Sequence, residues 1–177
     1  ALDNSPVMPY NERKSISTER TFDRDTIDVI KLKGILLAMA ENLAFQLRRG
    51  QKLTSCVTVK VRYSDFNTYT LQSRIPYTSA DHVLIAKVLE LFNKLYHKRL
   101  LVRLIGVRFS HLVEGSYQIN LFEDIEEQLN LYHAMDKMRD KYGDRVVMRA
   151  AGMEARTISR FNPFNGEPPP LLPNRRQ

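Results

Sequence analysis

Cysteine, metal-spaced histidine and long apolar runs are scarce in this chain, and each scarcity excludes a class of function. One cysteine, Cys56, among 177 residues leaves no disulfide framework and no cysteine-based metal site. No histidine stands near it in sequence, so Cys56 reads as an inert strand residue rather than a nucleophile. The four histidines, His82, His97, His111 and His133, fall in different predicted elements without the spacing of metal ligands. No apolar stretch approaches the ~18 residues of a membrane span, and the N-terminus carries no charged-then-apolar leader pattern. The chain opens Ala1-Leu2-Asp3 without an initiator methionine, as a trimmed protein or an excised domain would. No acid/base constellation of the kind a small-molecule enzyme needs stands out along it.

Positive charge is what the chain has in excess. The formal net charge is +7, with 43% hydrophobic and 27% charged residues, a composition suited to one soluble domain plus extensions. The charge is uneven. Residues 1–112 hold 18 Lys and Arg against 10 Asp and Glu, whereas residues 113–177 hold 9 against 10. A basic field confined to the first part favours a polyanionic partner.

The segment Val57 to Phe66 shows how that field is displayed. Val57, Val59, Val61 and Tyr63 alternate with Thr58, Lys60, Arg62 and Ser64, the period of a half-buried strand. Its outer face is cationic and hydroxylic, the chemistry that grips phosphate. Asp65-Phe66-Asn67-Thr68 makes a hairpin turn, and Tyr69 to Tyr77 returns with Thr70, Gln72 and Arg74 on the same polar side.

The flanking segments complete a pattern. Residues 1–12, with Pro6 and Pro9, read as a linker, and Arg13 to Phe22 as a strand. A helix is predicted from Ile27 to Arg49, with Asp25 or Thr26 as its cap and Gly50 as its stop. Thr78 to Asp81 offers caps for a second amphipathic helix running to about His97. Leu100 to Leu112 reads as a fourth strand, in which Gly106 is expected to mark a bulge. Arg108 and Ser110 share the polar phase there, whereas Arg103 falls in phase with Ile105 and Val107. The order β-α-β-β-α-β predicts an α+β fold: a split, four-stranded antiparallel sheet with two helices on one face. The other face is left open for binding. Beyond it lie a linker at 113–123, a helix to Tyr142 ended by Gly143, a short strand from Arg145 to Arg149, and a proline-rich tail within residues 144–177.

Four strings carry a family resemblance: Arg13-Lys-Ser-Ile16, Val57 to Phe66, Val102-Arg-Leu-Ile-Gly-Val107 and Gln118-Ile-Asn-Leu-Phe122. Their order and spacing resemble the little-finger domain at the C-terminal end of Y-family translesion DNA polymerases, the impB/mucB/samB class. The resemblance implies a DNA-binding domain at 13–112, a clamp-docking linker at 113–123 and a helical extension at 124–143. It implies primer-template DNA as partner, held at Arg13, Lys14, Ser15, Ser17, Lys60, Arg62, Thr70, Arg74, Arg103 and Arg108. Strand phase alone picks out Lys60, Arg62, Thr70, Arg74 and Arg108. Gln118, Leu121 and Phe122 resemble the short motif by which bacterial polymerases dock on the sliding clamp, two apolar side chains filling a pocket beside an amide.

The family's metal-binding palm, with its Ser-x-Asp-Glu string, has no counterpart here. The resemblance therefore implies no cofactor and no nucleotidyl transfer in this fragment, with Mg²⁺ belonging to the parent polymerase. It also implies a cytoplasmic, nucleoid-associated protein without a membrane contact. The competing reading is a stand-alone nucleic-acid-binding module of the same layout. Against an RNA-recognition sheet stands the lack of aromatic residues in the exposed strand phases.

Overall fold

The computed structural model describes residues 13–97, 100–115, 125–143 and 146–157. The elements run β1 (Ser15–Thr26), α1 (Val29–Arg49), β2 (Lys52–Tyr63), β3 (Thr68–Thr78), α2 (Asp81–Leu95), β4 (Val102–Glu114), α3 (Ile125–Tyr142) and a 3₁₀ helix at Ala150–Thr157. The four strands form one antiparallel sheet in the order β1-β4-β2-β3. The expected layout is present: α1 and α2 pack on one face of that sheet. Pro76 stands in β3, an edge strand, where the missing amide costs no central ladder bond.

One core joins both helices to the sheet. Val57, Val59, Val61 and Tyr63 of β2 and Ile105, Val107 and Phe109 of β4 are buried against Leu32, Leu36, Leu43, Leu84, Val88 and Phe92. Alternation thus works as the sequence suggests: odd positions of β2 enter the core and Thr58, Lys60 and Arg62 point away. Gly34 lets the 3₁₀ helix approach α1, since a Cβ there would lie 2.6 Å from the Ala151 carbonyl oxygen.

Several boundaries differ from expectation. Asp28, not Asp25 or Thr26, caps α1, accepting from the Lys31 amide at 3.0 Å. Gly50 does end α1 as its C-cap, as expected, but with an ordinary φ of −84°; the left-handed residue is the next one, Gln51, at φ 48°. No side chain caps α2; its N-cap is Ala80, and Asp81 is drawn inward instead. Among the described residues, 146–149 form no strand. Gly106 is no bulge either: it pairs in register with both Glu19 and Lys60. The irregularity lies at Arg103, because Tyr63 pairs Val102 while Arg62 pairs Leu104.

Asp81 belongs to a buried ionic clasp that fixes α3. Arg48 Nη1 donates to Asp81 Oδ1 at 2.5 Å and to the Ser79 carbonyl at 2.8 Å. Its Nε and Nη2 donate to Asp136 of α3 at 2.6 and 2.9 Å. The guanidinium lies 5.0 Å from the Tyr132 ring centroid, and the Tyr132 hydroxyl meets His82 Nδ1 at 2.7 Å. Arg149 bonds Glu41 and reaches Asp81 at 3.4 Å. Burial alone would lower the Arg48 pKa, but its bonds to Asp136 and Asp81 outweigh burial and hold it above its ordinary value.

Candidate nucleic-acid interface

The sheet face away from the helices is covered by no element among the described residues. Strand register arranges its side chains in four rows, each read across β1, β4, β2 and β3. The first is Ser15, Ser110, Cys56 and Arg74; the second is Ser17, Arg108, Thr58 and Gln72. The third is Glu19, Gly106, Lys60 and Thr70, and the fourth is Thr21, Leu104, Arg62 and Thr68. Seven of these sixteen residues carry hydroxyls, four are cations and one is an acid. Each row holds one cation. Rows lie about 6.6 Å apart and strands about 4.8 Å, so the cations are spread over the face rather than stacked against one another.

Local bonds hold these side chains in place. Arg62 Nε donates to Thr68 Oγ1 at 2.8 Å, within its own row. Arg108 Nη2 donates to Ser15 Oγ at 3.0 Å. Arg74 is exposed and has no side-chain partner among the described residues. Lys60 Nζ donates to both Glu19 carboxylate oxygens, at 2.9 and 3.1 Å. That last pair spans β4. A Cβ on Gly106 would stand 2.7 Å from Glu19 Cγ, so the glycine gives the glutamate its passage to Lys60.

The predicted residues thus divide. Ser15, Ser17, Lys60, Arg62, Thr70, Arg74 and Arg108 share the open face, and Arg13 and Lys14 stand exposed just ahead of β1. Arg103 stands outside the four rows. It occupies the bulge at the hairpin end of the sheet, 3.6 Å from Asp25 and with its guanidinium 4.8 Å from the Phe66 ring centroid. Gln118, Leu121 and Phe122 lie outside the described residues. Glu19 and Phe66 were missed by the sequence reading. Glu19 shares the phase of Ser15 and Ser17, a local signal, but its reach to Lys60 depends on non-local register.

The face offers guanidinium, ammonium, hydroxyl and amide donors, groups that can bond phosphate oxygens irrespective of base sequence. Among the described residues no cluster of three His, Cys, Asp or Glu could hold a metal ion. Glu41, Asp81 and Asp136 are each engaged by a guanidinium, of Arg48 or Arg149, rather than gathered around a common point. No helix among the described residues is long and apolar enough to cross a membrane.

Residues 13–121 match the family model described as the impB/mucB/samB family C-terminal domain. A DNA polymerase IV of Clostridium acetobutylicum is 35% identical over 158 residues, covering 86% of this chain and 40% of that polymerase. One from Dehalococcoides mccartyi is 33% identical over 144 residues, covering 80% of this chain and 37% of its own length. The chain therefore spans about 40% of the length of the curated relatives it matches. A solved chain from a complex of beta-clamp processivity factor and the little finger domain of PolIV superposes with a TM-score of 0.46 at 21% identity, over 62% of this chain and 99% of that one.

Proposed function

Since the chain belongs to the impB/mucB/samB C-terminal domain family, we propose that it is the DNA-holding part of a Y-family translesion polymerase. It grips primer-template phosphates with the open sheet face, and nucleotidyl transfer is done by a palm elsewhere in the whole protein. The observation that carries this reading is the four-row face, in which every row presents one cation among hydroxyls and amides. Such contacts position a duplex without reading its sequence. The names of the relatives, DNA polymerase IV, supply the parent activity.

Within that reading, residues 13–112 are the DNA-binding unit and 1–12 the connection to the catalytic core. Residues 113–123 carry the clamp-docking motif, with Leu121 and Phe122 as apolar anchors and Gln118 as hydrogen-bonding partner. Residues 124–143 are a helical extension, followed by a tail at 144–177. Mg²⁺ belongs to the parent's palm, and the fragment by itself is not an enzyme. The protein acts in the cytoplasm, on nucleoid DNA.

The test is the salt dependence of binding to a primer-template duplex, followed by fluorescence anisotropy. The double substitution Arg74→Ala with Arg108→Ala should weaken binding alike on unrelated sequences. It should reduce the slope of log affinity against log salt by roughly 0.9 per lost phosphate contact. An unchanged slope would overturn the assignment of this face.

A further inference from the structure

The β2–β3 turn carries an aromatic ring in a place that neither the core nor the phosphate face explains. Phe66 is 65% exposed and sits in the left-handed backbone region at φ 62°, where a bulky side chain is disfavoured. The next residue is Asn67, a type that adopts that conformation more readily. The turn is nonetheless closed around Phe66. The Phe66 amide donates to the Tyr63 carbonyl at 3.0 Å, and the Tyr63 amide donates to the Asn67 carbonyl at 3.1 Å. The Asn67 amide and side chain both donate to Asp65, at 3.0 and 2.8 Å. These bonds hold the strained residue out at the hairpin tip, and strain retained by such over-determination marks a functional position.

Arg103 supplies the second observation. The bulge in β4 re-aims it so that its guanidinium lies over the Phe66 ring, with the Asp25 carboxylate 3.6 Å away. Arg62, two residues into the same hairpin end, is fixed to Thr68. The tip therefore joins one cation-backed ring to the end of a cationic face. A duplex satisfies the face with phosphates and offers an aromatic nothing, because its bases are stacked on each other. An unpaired base has a free π-surface, and phosphates beside it that suit Arg103 and Arg62.

We propose that Phe66, backed by Arg103, is a stacking platform for an unpaired base of a single-stranded overhang next to the bound duplex. This rests on the reading of the sheet face as a DNA-phosphate surface and adds a single-strand site to it. Stacking of this kind is sequence-tolerant, so any base should serve.

The experiment compares, by anisotropy, a blunt duplex with the same duplex carrying a short 5′ overhang, and follows 2-aminopurine fluorescence in the overhang. The chain should bind the overhang form about tenfold more tightly, in the range of one base–aromatic stack, with the 2-aminopurine quenched. Phe66→Asn, which suits the left-handed backbone, should keep or raise the melting temperature and leave blunt-duplex affinity unchanged. It should abolish the overhang increment and the quench, and Phe66→Trp should preserve both. An increment that survives Phe66→Asn overturns the platform. So does an equal loss on both DNAs, which would make the tip part of the duplex grip. Failure to bind blunt duplex, with Phe66-dependent binding of the overhang retained, would uphold the platform and overturn the sheet-face reading. No binding to either DNA would overturn both.

Discussion

Glu19 of β1 reaches Lys60 of β2 across an intervening strand, at 2.9 and 3.1 Å, and the bare backbone of Gly106 is what it passes over. The relationship changes how the open face acts. Lys60 is not an idle cation waiting for phosphate; its charge is already answered by the one acid in the four rows. A phosphate that approaches Lys60 must compete with a carboxylate held at bonding distance. Both side chains are partly solvated, so the pair itself adds little stability. Its effect is on the field of the face.

Glu19→Gln should therefore strengthen DNA binding. Lys60 would be released to a phosphate and a repulsive charge removed, so the slope of log affinity against log salt should steepen by roughly 0.9, the value of one added phosphate contact. Anisotropy titrations across a salt series measure this directly. A slope and affinity equal to the unmodified chain would mean that Lys60 is not at the DNA.

Gly106→Ala tests the passage. The new methyl would stand 2.7 Å from Glu19 Cγ and 3.3 Å from the Thr18 carbonyl oxygen, so either the glutamate swings away or the β1–β4 ladder shifts. A cost of about 1–2 kcal/mol in urea unfolding is expected, by analogy with other overpacked sites. Adding Glu19→Ala should recover most of it, giving a coupling energy well outside additivity. If the alanine costs as much with Glu19 removed, the clash is with the β1 backbone and not with the side chain.

Much of this face could be read from the chain because its cause is local. Period two put Val57, Val59, Val61 and Tyr63 inside and Thr58, Lys60 and Arg62 outside, and β3 repeats the phase in Thr70, Gln72 and Arg74. What escaped is non-local. Nothing near Gly106 reveals that Glu19 and Lys60 lie on either side of it, because that follows from β4 pairing with both β1 and β2. A bulge is the ordinary reading of a strand glycine, and the true irregularity at Arg103 appears only once Tyr63 and Arg62 have chosen their partners. Asp81 reads as a helix cap until Arg48, 33 residues earlier, turns up against it. Phe66 is illegible for another reason: Asp65 and Asn67 account for the turn by themselves, and nothing near the ring in sequence places the Arg103 guanidinium over it.

On α2, acid sensitivity should trace to Glu90. Hydrogen bonds from Lys87 and Lys94, each at 2.6 Å, lower its pKa from 4.5 to about 2. A depressed carboxylate stabilises the fold above its unfolded pKa, and that contribution is lost as pH falls through the folded value. Glu90→Gln should therefore lower the melting temperature slightly near pH 7, and the difference from the parent chain should shrink from about pH 4.5 and vanish near pH 2. A difference that persists at pH 2 would locate its cause in packing rather than in charge.

The clasp at Arg48 should fail in two distinguishable ways. α3 turns Tyr132, Asp136 and Arg139 toward the domain while Leu131 and Met138 face out, so polar bonds and the one buried Tyr132 ring, rather than an apolar stripe, attach it. Asp136→Ala removes the α3 side of the clasp but leaves Arg48 bonded to Asp81 and the Ser79 carbonyl. The main domain should keep most of its stability while the amides of α3 lose hydrogen-exchange protection. Arg48→Ala is harsher, since it strips the fully buried Asp81 of its nearest cation. A loss of about 3–5 kcal/mol is expected when one member of a buried ion pair is removed, and Arg149, at 3.4 Å from Asp81, sets how much of that is recovered. Binding of blunt duplex should be unchanged by Asp136→Ala, because the clasp lies among the helices and the four open rows on the opposite side of the sheet. If α3 kept its protection in Asp136→Ala, Tyr132 with its bond to His82 would have to be the stronger attachment, and Tyr132→Phe would then be the substitution that releases the helix.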